Sequence, residues 1–157
     1  MTTDQEFLRK KSKPVEVFDA RIHRILDDMR DTLKHANGVG LAAVQIGVLY
    51  RICLIMTPSG VLECINPEIS AQSKVKIGEE MCLSLPGECY KVKRPQFVTV
   101  TAFDRHGHQF MAELKGISAV CACHEIDHLN GILFVDRTDN NHYECDTISQ
   151  FPLKVRK

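Results

Sequence analysis

The sequence has no surplus of charge: among its 157 residues, twenty Lys and Arg balance twenty Asp and Glu. A sequence-independent nucleic-acid binder needs an excess of cations to displace phosphate counterions, so no direct nucleic-acid binding is expected. A membrane span is missing too. No apolar run reaches the roughly 18 residues a span requires, and the best candidate, Val39 to Tyr50, is broken by Gln45 and by glycine. The opening stretch Met1-Thr2-Thr3-Asp4-Gln5-Glu6 carries two acids and no apolar core, unlike a secretory signal or an Arg-rich transit peptide. These absences point to a cytoplasmic, bacterial-type location and to no membrane partner. Internal repeats and low-complexity tracts are lacking as well. The expectation is one domain over residues 1–157, with a polar tail from about residue 138.

Cysteine, in contrast, is plentiful, at seven residues: Cys53, Cys64, Cys82, Cys89, Cys121, Cys123 and Cys145. The count is odd and nothing suggests secretion, so thiols in a reducing compartment are expected instead of a disulfide scaffold. Most should behave as small buried hydrophobes.

Apolar residues Phe18, Ile22, Ile25, Met29 and Leu33 recur at steps of three and four, which predicts an amphipathic helix ending at Asn37-Gly38. The middle reads as β-structure. Tyr50 to Met56 is one strand, and Pro58-Ser59-Gly60 is a turn. Val61 to Ile65 is a second strand, stopped at Asn66-Pro67. Gln96 to Phe103 and His108 to Leu114 form a hairpin about the turn at Asp104 to Gly107. A second helix is predicted over Gly116 to Leu129, with Ile117, Val120, Cys121, His124 and His128 on one face. The fold class is therefore α+β: antiparallel strands packed around a central helix, with an amphipathic helix near the N-terminus.

His124-Glu125-Ile126-Asp127-His128 is the chemically specific feature. Residues four apart on a helix stack one turn above each other, so two imidazoles can reach one metal ion. Glu125 beside them can accept and return a proton. A third protein ligand is then required. Spacing nominates Cys121, one turn upstream, although three ligands from a single helix face are poorly disposed for a tetrahedron. Two further segments look functional. Gly38 to Gln45 is rich in small residues that allow close backbone approach, and it follows a helix where a dinucleotide loop would follow a strand. Glu80-Met81-Cys82-Leu83-Ser84 sets a cysteine between an acid and a hydroxyl. His106 and His108 flank a glycine turn and read as a solvated tip.

Together these three segments resemble the peptide deformylases, whose motifs G-x-G-L-A-A-x-Q, E-G-C-L-S and Q-H-E-x-D-H are matched here in the same order, the last two with one substitution each. The likeness extends over roughly residues 7 to 137, including Ile65-Asn66-Pro67, Arg94-Pro95 and Gly131 to Asp136. The resemblance implies that Cys82, His124 and His128 hold one divalent ion. That ion is typically Fe²⁺, with Zn²⁺, Ni²⁺ or Co²⁺ able to substitute, and water is the fourth ligand. It implies Glu125 as general base and then acid, with the Gln45 amide and the Leu83 backbone N–H binding the developing oxyanion. Gly38, Val39, Gly40, Arg94, Ile117, Val120 and Cys121 would contact the substrate, with Arg94 reaching the bound peptide or Glu80. The reaction implied is hydrolysis of the N-formyl group of formyl-methionine on nascent peptides at the ribosome, releasing formate. Three positions depart from the family pattern: Met81 for glycine, Cys123 for glutamine and Val44 for proline. The N-terminus is also short, and the family's long C-terminal helix is missing. The alternative reading is a catalytically weak or inactive paralogue that binds metal or formyl-peptide. Intact Glu125 argues against it, since binding alone has no use for a general base. Oligomeric state is not legible.

Overall fold

The structure, a computed structural model, describes residues 4–82 and 84–138. After a short helix α1 (Gln5–Leu8) comes α2 (Ala20–Ala36), then strands β1 (Gly40–Ala42), β2 (Ile52–Thr57), β3 (Gly60–Cys82), β4 (Leu85–Phe103) and β5 (Gln109–Lys115), and helix α3 (Ile117–Leu129). The strands form one antiparallel sheet in the order β1-β2-β3-β4-β5. The architecture is α+β.

Helix α2 starts where Asp19 Oδ1 accepts the N–H groups of Arg21 (3.1 Å) and Ile22 (3.2 Å), satisfying two donors of the first turn. It stops at Asn37, whose left-handed φ of 51° closes the last turn. Its buried stripe is Ile22, Leu26, Met29 and Leu33. Leu26 takes the fully buried place that the periodicity assigns to Ile25.

The period-two geometry of β2 explains why its sequence is apolar throughout. Ile52 and Leu54 join Leu41 and Ile65 against the α2 stripe. Cys53 and Ile55 point the other way, into a core shared with Val98, Val100, Ala102 and the α3 residues Ala119, Cys121, Ala122, Ile126 and Leu129. The sheet thus lies between two helices, with α3 buried along nearly its whole length.

Two expectations fail here. Strand β3 does not stop at Asn66-Pro67; it runs on to Cys82. The register shifts between Ile65 and Glu68, and Asn66 sits at φ 51° in that bulge. Proline's missing N–H falls where the ladder is already interrupted. The Asn66 side chain is fixed there, accepting from Val15 N–H (2.8 Å) and donating to Val15 C=O (2.9 Å). The second failure concerns cysteine. Cys53, Cys64, Cys82, Cys121 and Cys123 are free thiols, but Cys89 is disulfide-bonded. The polar tail, Cys145 and the oxyanion donor read at Leu83 all lie outside the described residues.

Candidate metal centre

Three elements meet behind the sheet. Helix α3 carries His124 and His128 one turn apart, and both are buried. Their rings stand 4.9 Å apart edge to face, and the two Nε2 atoms lie 3.2 Å from each other. Strand β3 ends at Cys82, whose Sγ is 3.3 Å from His128 Nε2. The three ligand atoms lie within 4.8 Å of one another, and they form the one such group among the described residues. Cys121, the spacing-based candidate, is not in it.

Two imidazole nitrogens facing each other at this distance cannot both be satisfied as neutral acceptors. A cation between them and the sulfur resolves the conflict, and a tetrahedral ion with ~2.0–2.3 Å bonds to nitrogen and sulfur fits ligand atoms at these separations. Burial lowers His128 well below its ordinary pKa, with the His124 and Arg94 charges adding to the effect, so its lone pair is available. His124 is oriented from behind. Its Nδ1–H donates to Glu80 Oε1 (2.9 Å); burial opposes a charge on this ring, but bonds to Cys82 and Glu80 raise its pKa well above the ordinary value, and an ion at Nε2 would replace the proton favoured there. Burial opposes the charge on Glu80, but bonds from His124 and Arg94 outweigh it and hold the carboxyl at about 2.

Glu125 is buried beside the ligands, and its Oε2 has no hydrogen-bond partner. Burial is the main reason its pKa rises to about 7, with the His124 charge pulling the other way. A carboxyl poised near neutrality can both take and give a proton. Its neighbour is Gly40 on β1. A β-carbon there would stand 2.8 Å from Glu125 Oε1 and would collide with Cys121 Sγ. Glycine is therefore demanded by the fit of β1 on α3, and its φ plays no part. The Cys121 thiol donates to Val39 C=O at 3.2 Å, joining the same two elements.

Gln45 follows β1 in a single 3₁₀ turn, Ala43–Ile46. Its Oε1 accepts the Ala42 N–H at 2.9 Å, which aims the amide nitrogen at Ser84 Oγ (3.1 Å) and Cys82 Sγ (3.7 Å). The amide donor thus faces the metal ligands.

The other expected contact residues fall in several environments. Arg94 is 5% exposed, and its side chain is committed to Glu80 (2.8 and 3.0 Å) and Asp127 (2.7 Å). Of the two roles read for it, the structure gives the Glu80 contact. Ile117 is 57% exposed at the start of α3, Val120 is half-buried, and Gly38 precedes the buried Val39. Met81 has none of the left-handed backbone that a glycine position can conceal; it lies in β3 and packs on the core. Motif and spacing alone assign no role to Ser84, Asp127 or Arg137. The signal for Asp127 was available, since an acid inside a buried helix needs a cation.

The polypeptide deformylase profile matches residues 1–144. The chain belongs to that family. It is 52% identical over 136 residues to a peptide deformylase of Caldicellulosiruptor bescii, covering 87% of this chain and 82% of that protein. Among solved structures, the peptide deformylase of Legionella pneumophila superposes with a TM-score of 0.84 at 44% identity, covering 89% of this chain and 85% of that one. The Synechococcus elongatus deformylase, solved with actinonin, gives 0.82 at 36% identity, covering 87% and 75% of the two chains. This deformylase-family chain is a hydrolase, and Cys82, His124 and His128 form a site suited to one metal ion. No described helix is long and apolar enough to cross a membrane.

Proposed function

We propose that this chain, a single domain working in the cytoplasm, removes the N-formyl group from the N-terminal formyl-methionine of nascent polypeptides and releases formate. The observation that carries the reading is the convergence of His124 Nε2, His128 Nε2 and Cys82 Sγ beside the partnerless Glu125 Oε2. A thiolate with two imidazoles suits borderline ions, which supports Fe²⁺, with Zn²⁺, Ni²⁺ or Co²⁺ able to replace it. Held by Cys82, His124 and His128, such an ion would supply Lewis acidity, lowering the cost of ionising water and of charge on the formyl oxygen.

The chain's own groups do the rest. Glu125 takes a proton from the attacking water and returns it to the departing amine nitrogen, so water and formamide become formate and amine. The Gln45 amide, held by Ala42, donates to the oxygen that gains charge as the carbonyl becomes tetrahedral; the Leu83 N–H is the second donor in this proposal. Gly38, Val39 and Gly40 bind the extended peptide by strand addition along β1. Ile117, Val120 and Cys121 line the cleft for the methionine side chain. Arg94 acts on the site through Glu80.

Glu125→Gln tests this directly. The variant keeps one metal per chain by elemental analysis, while formate release falls by roughly 10²–10⁴-fold, the usual contribution of a general acid–base. Turnover comparable to the unaltered chain overturns the assignment.

A further inference from the structure

We infer that Arg137 is a positioning residue for the metal centre, acting from the surface through three charged groups. The turn Phe134–Arg137 follows α3. Arg137 is 45% exposed along its side chain, yet its guanidinium reaches Asp127, which is 10% exposed. Nη2 donates to Asp127 Oδ1 (2.8 Å) and Nε to Oδ2 (3.1 Å). Arg94 Nη1 donates to that same Oδ2 at 2.7 Å. Arg94 gives its other two bonds to Glu80, through Nε (2.8 Å) and Nη2 (3.0 Å). Glu80 Oε1 accepts from both Arg94 Nη2 and His124 Nδ1. The charges alternate inward: Arg137, Asp127, Arg94, Glu80, then the ligand His124.

The donor inventory makes Arg137 matter. Among the described residues, Asp127 Oδ1 accepts a side-chain bond from Arg137 alone. Without Arg137, a nearly buried carboxylate loses that donor. Its remaining cation is Arg94, which bridges Asp127 and Glu80, so a shift of that guanidinium toward Asp127 lengthens its bonds to Glu80. Glu80 is then held less firmly, and so is His124 Nδ1. The loss of an outer-shell bond of this kind typically weakens metal binding. Phe134, in the same turn, packs against the His124 ring with centroids 6.0 Å apart. The turn therefore bears on the ligand twice, once through packing and once through charge.

A merely structural role would be to pin the turn. Arg9 provides that comparison, since its bidentate pair with Asp136 (2.8 and 3.2 Å) pins the same turn without touching Asp127. The inference rests on the metal reading above, and the test separates the two failures. Zn²⁺ affinity is measured by competition with a chromophoric chelator, and thermal stability is recorded for each variant. Arg137→Ala should weaken the ion by about tenfold, and Arg137→Lys should restore most of the loss. Arg9→Ala should lower Tm and leave affinity unchanged. Affinity unchanged in Arg137→Ala, or weakened equally by Arg9→Ala, overturns the inference. Should the alanine variant fail to fold, Arg137→Lys binding more tightly than Arg137→Gln supports it, and equal affinities overturn it. An unaltered chain that binds no Zn²⁺ at Cys82 refutes the metal reading itself.

Discussion

Gly40 and Glu125 are in such close apposition that a β-carbon on the first would stand 2.8 Å from the carboxylate of the second. Strand and helix are brought together to the limit that hydrogen permits, and this places the backbone of β1 beside the proposed base. Extended substrate on that strand would have its first carbonyl delivered to Glu125.

Gly40→Ala should therefore damage catalysis more than folding. The added methyl displaces Glu125 or pushes β1 outward, and a misplacement of about 1 Å can cost on the order of a hundredfold in rate. We expect formate release per enzyme to fall by about that factor, with one metal still bound. Activity within about twofold of the unaltered chain would mean that β1 and α3 are not in register as described.

The two cysteines near α3 should separate cleanly. Cys82→Ala removes a ligand atom and should abolish stoichiometric metal. Cys121→Ala removes a thiol that contacts Val39 and borders Gly40. It should keep the metal and raise KM for formyl-methionyl peptides. Elemental analysis of both variants decides, and metal loss in Cys121→Ala alone would reverse the assignment.

Acid should loosen the α2 side of the molecule through Glu63. Burial raises this carboxyl, but bonds from Arg105 (2.9 and 2.7 Å) and Arg30 (2.6 Å) outweigh burial and leave its pKa below the ordinary value. A depressed carboxyl contributes stability that is full above the unfolded-state value near ~4.3 and is lost as pH falls through the folded one. The stability gap between the unaltered chain and Glu63→Gln, measured by urea unfolding, should thus shrink as pH falls from about 6 to about 3. A gap independent of pH would show that the pairs with Arg30 and Arg105 hold no differential energy.

Much of this was legible in the sequence, for local reasons. The spacing of Ile22, Met29 and Leu33 gives α2 its face, and His124 and His128 share a helix face because they are four residues apart. Features that depend on distant partners were not legible. Asn66-Pro67 reads as a strand end, and it becomes a bulge because Val15 supplies both partners of the asparagine amide. The stretch from 70 to 95 shows little hydrophobic alternation, since β3 is solvated there and Val75 and Ile77 are exposed. Its pairing with β4 brings Glu80 opposite Tyr90 and carries the acid to Arg94, and no local pattern announces that encounter. The relay from Arg137 to His124 joins residues up to 44 apart in sequence at a single step. Periodicity cannot see such pairs; an unpaired acid or base in an apolar setting is their one local trace.

The most direct test is formate release from a formyl-methionyl tripeptide, assayed anaerobically after loading with Fe²⁺ or Ni²⁺. The expected result is turnover that disappears on chelation, returns with metal, and is absent in Cys82→Ala. One metal bound per chain with no formate released would contradict it.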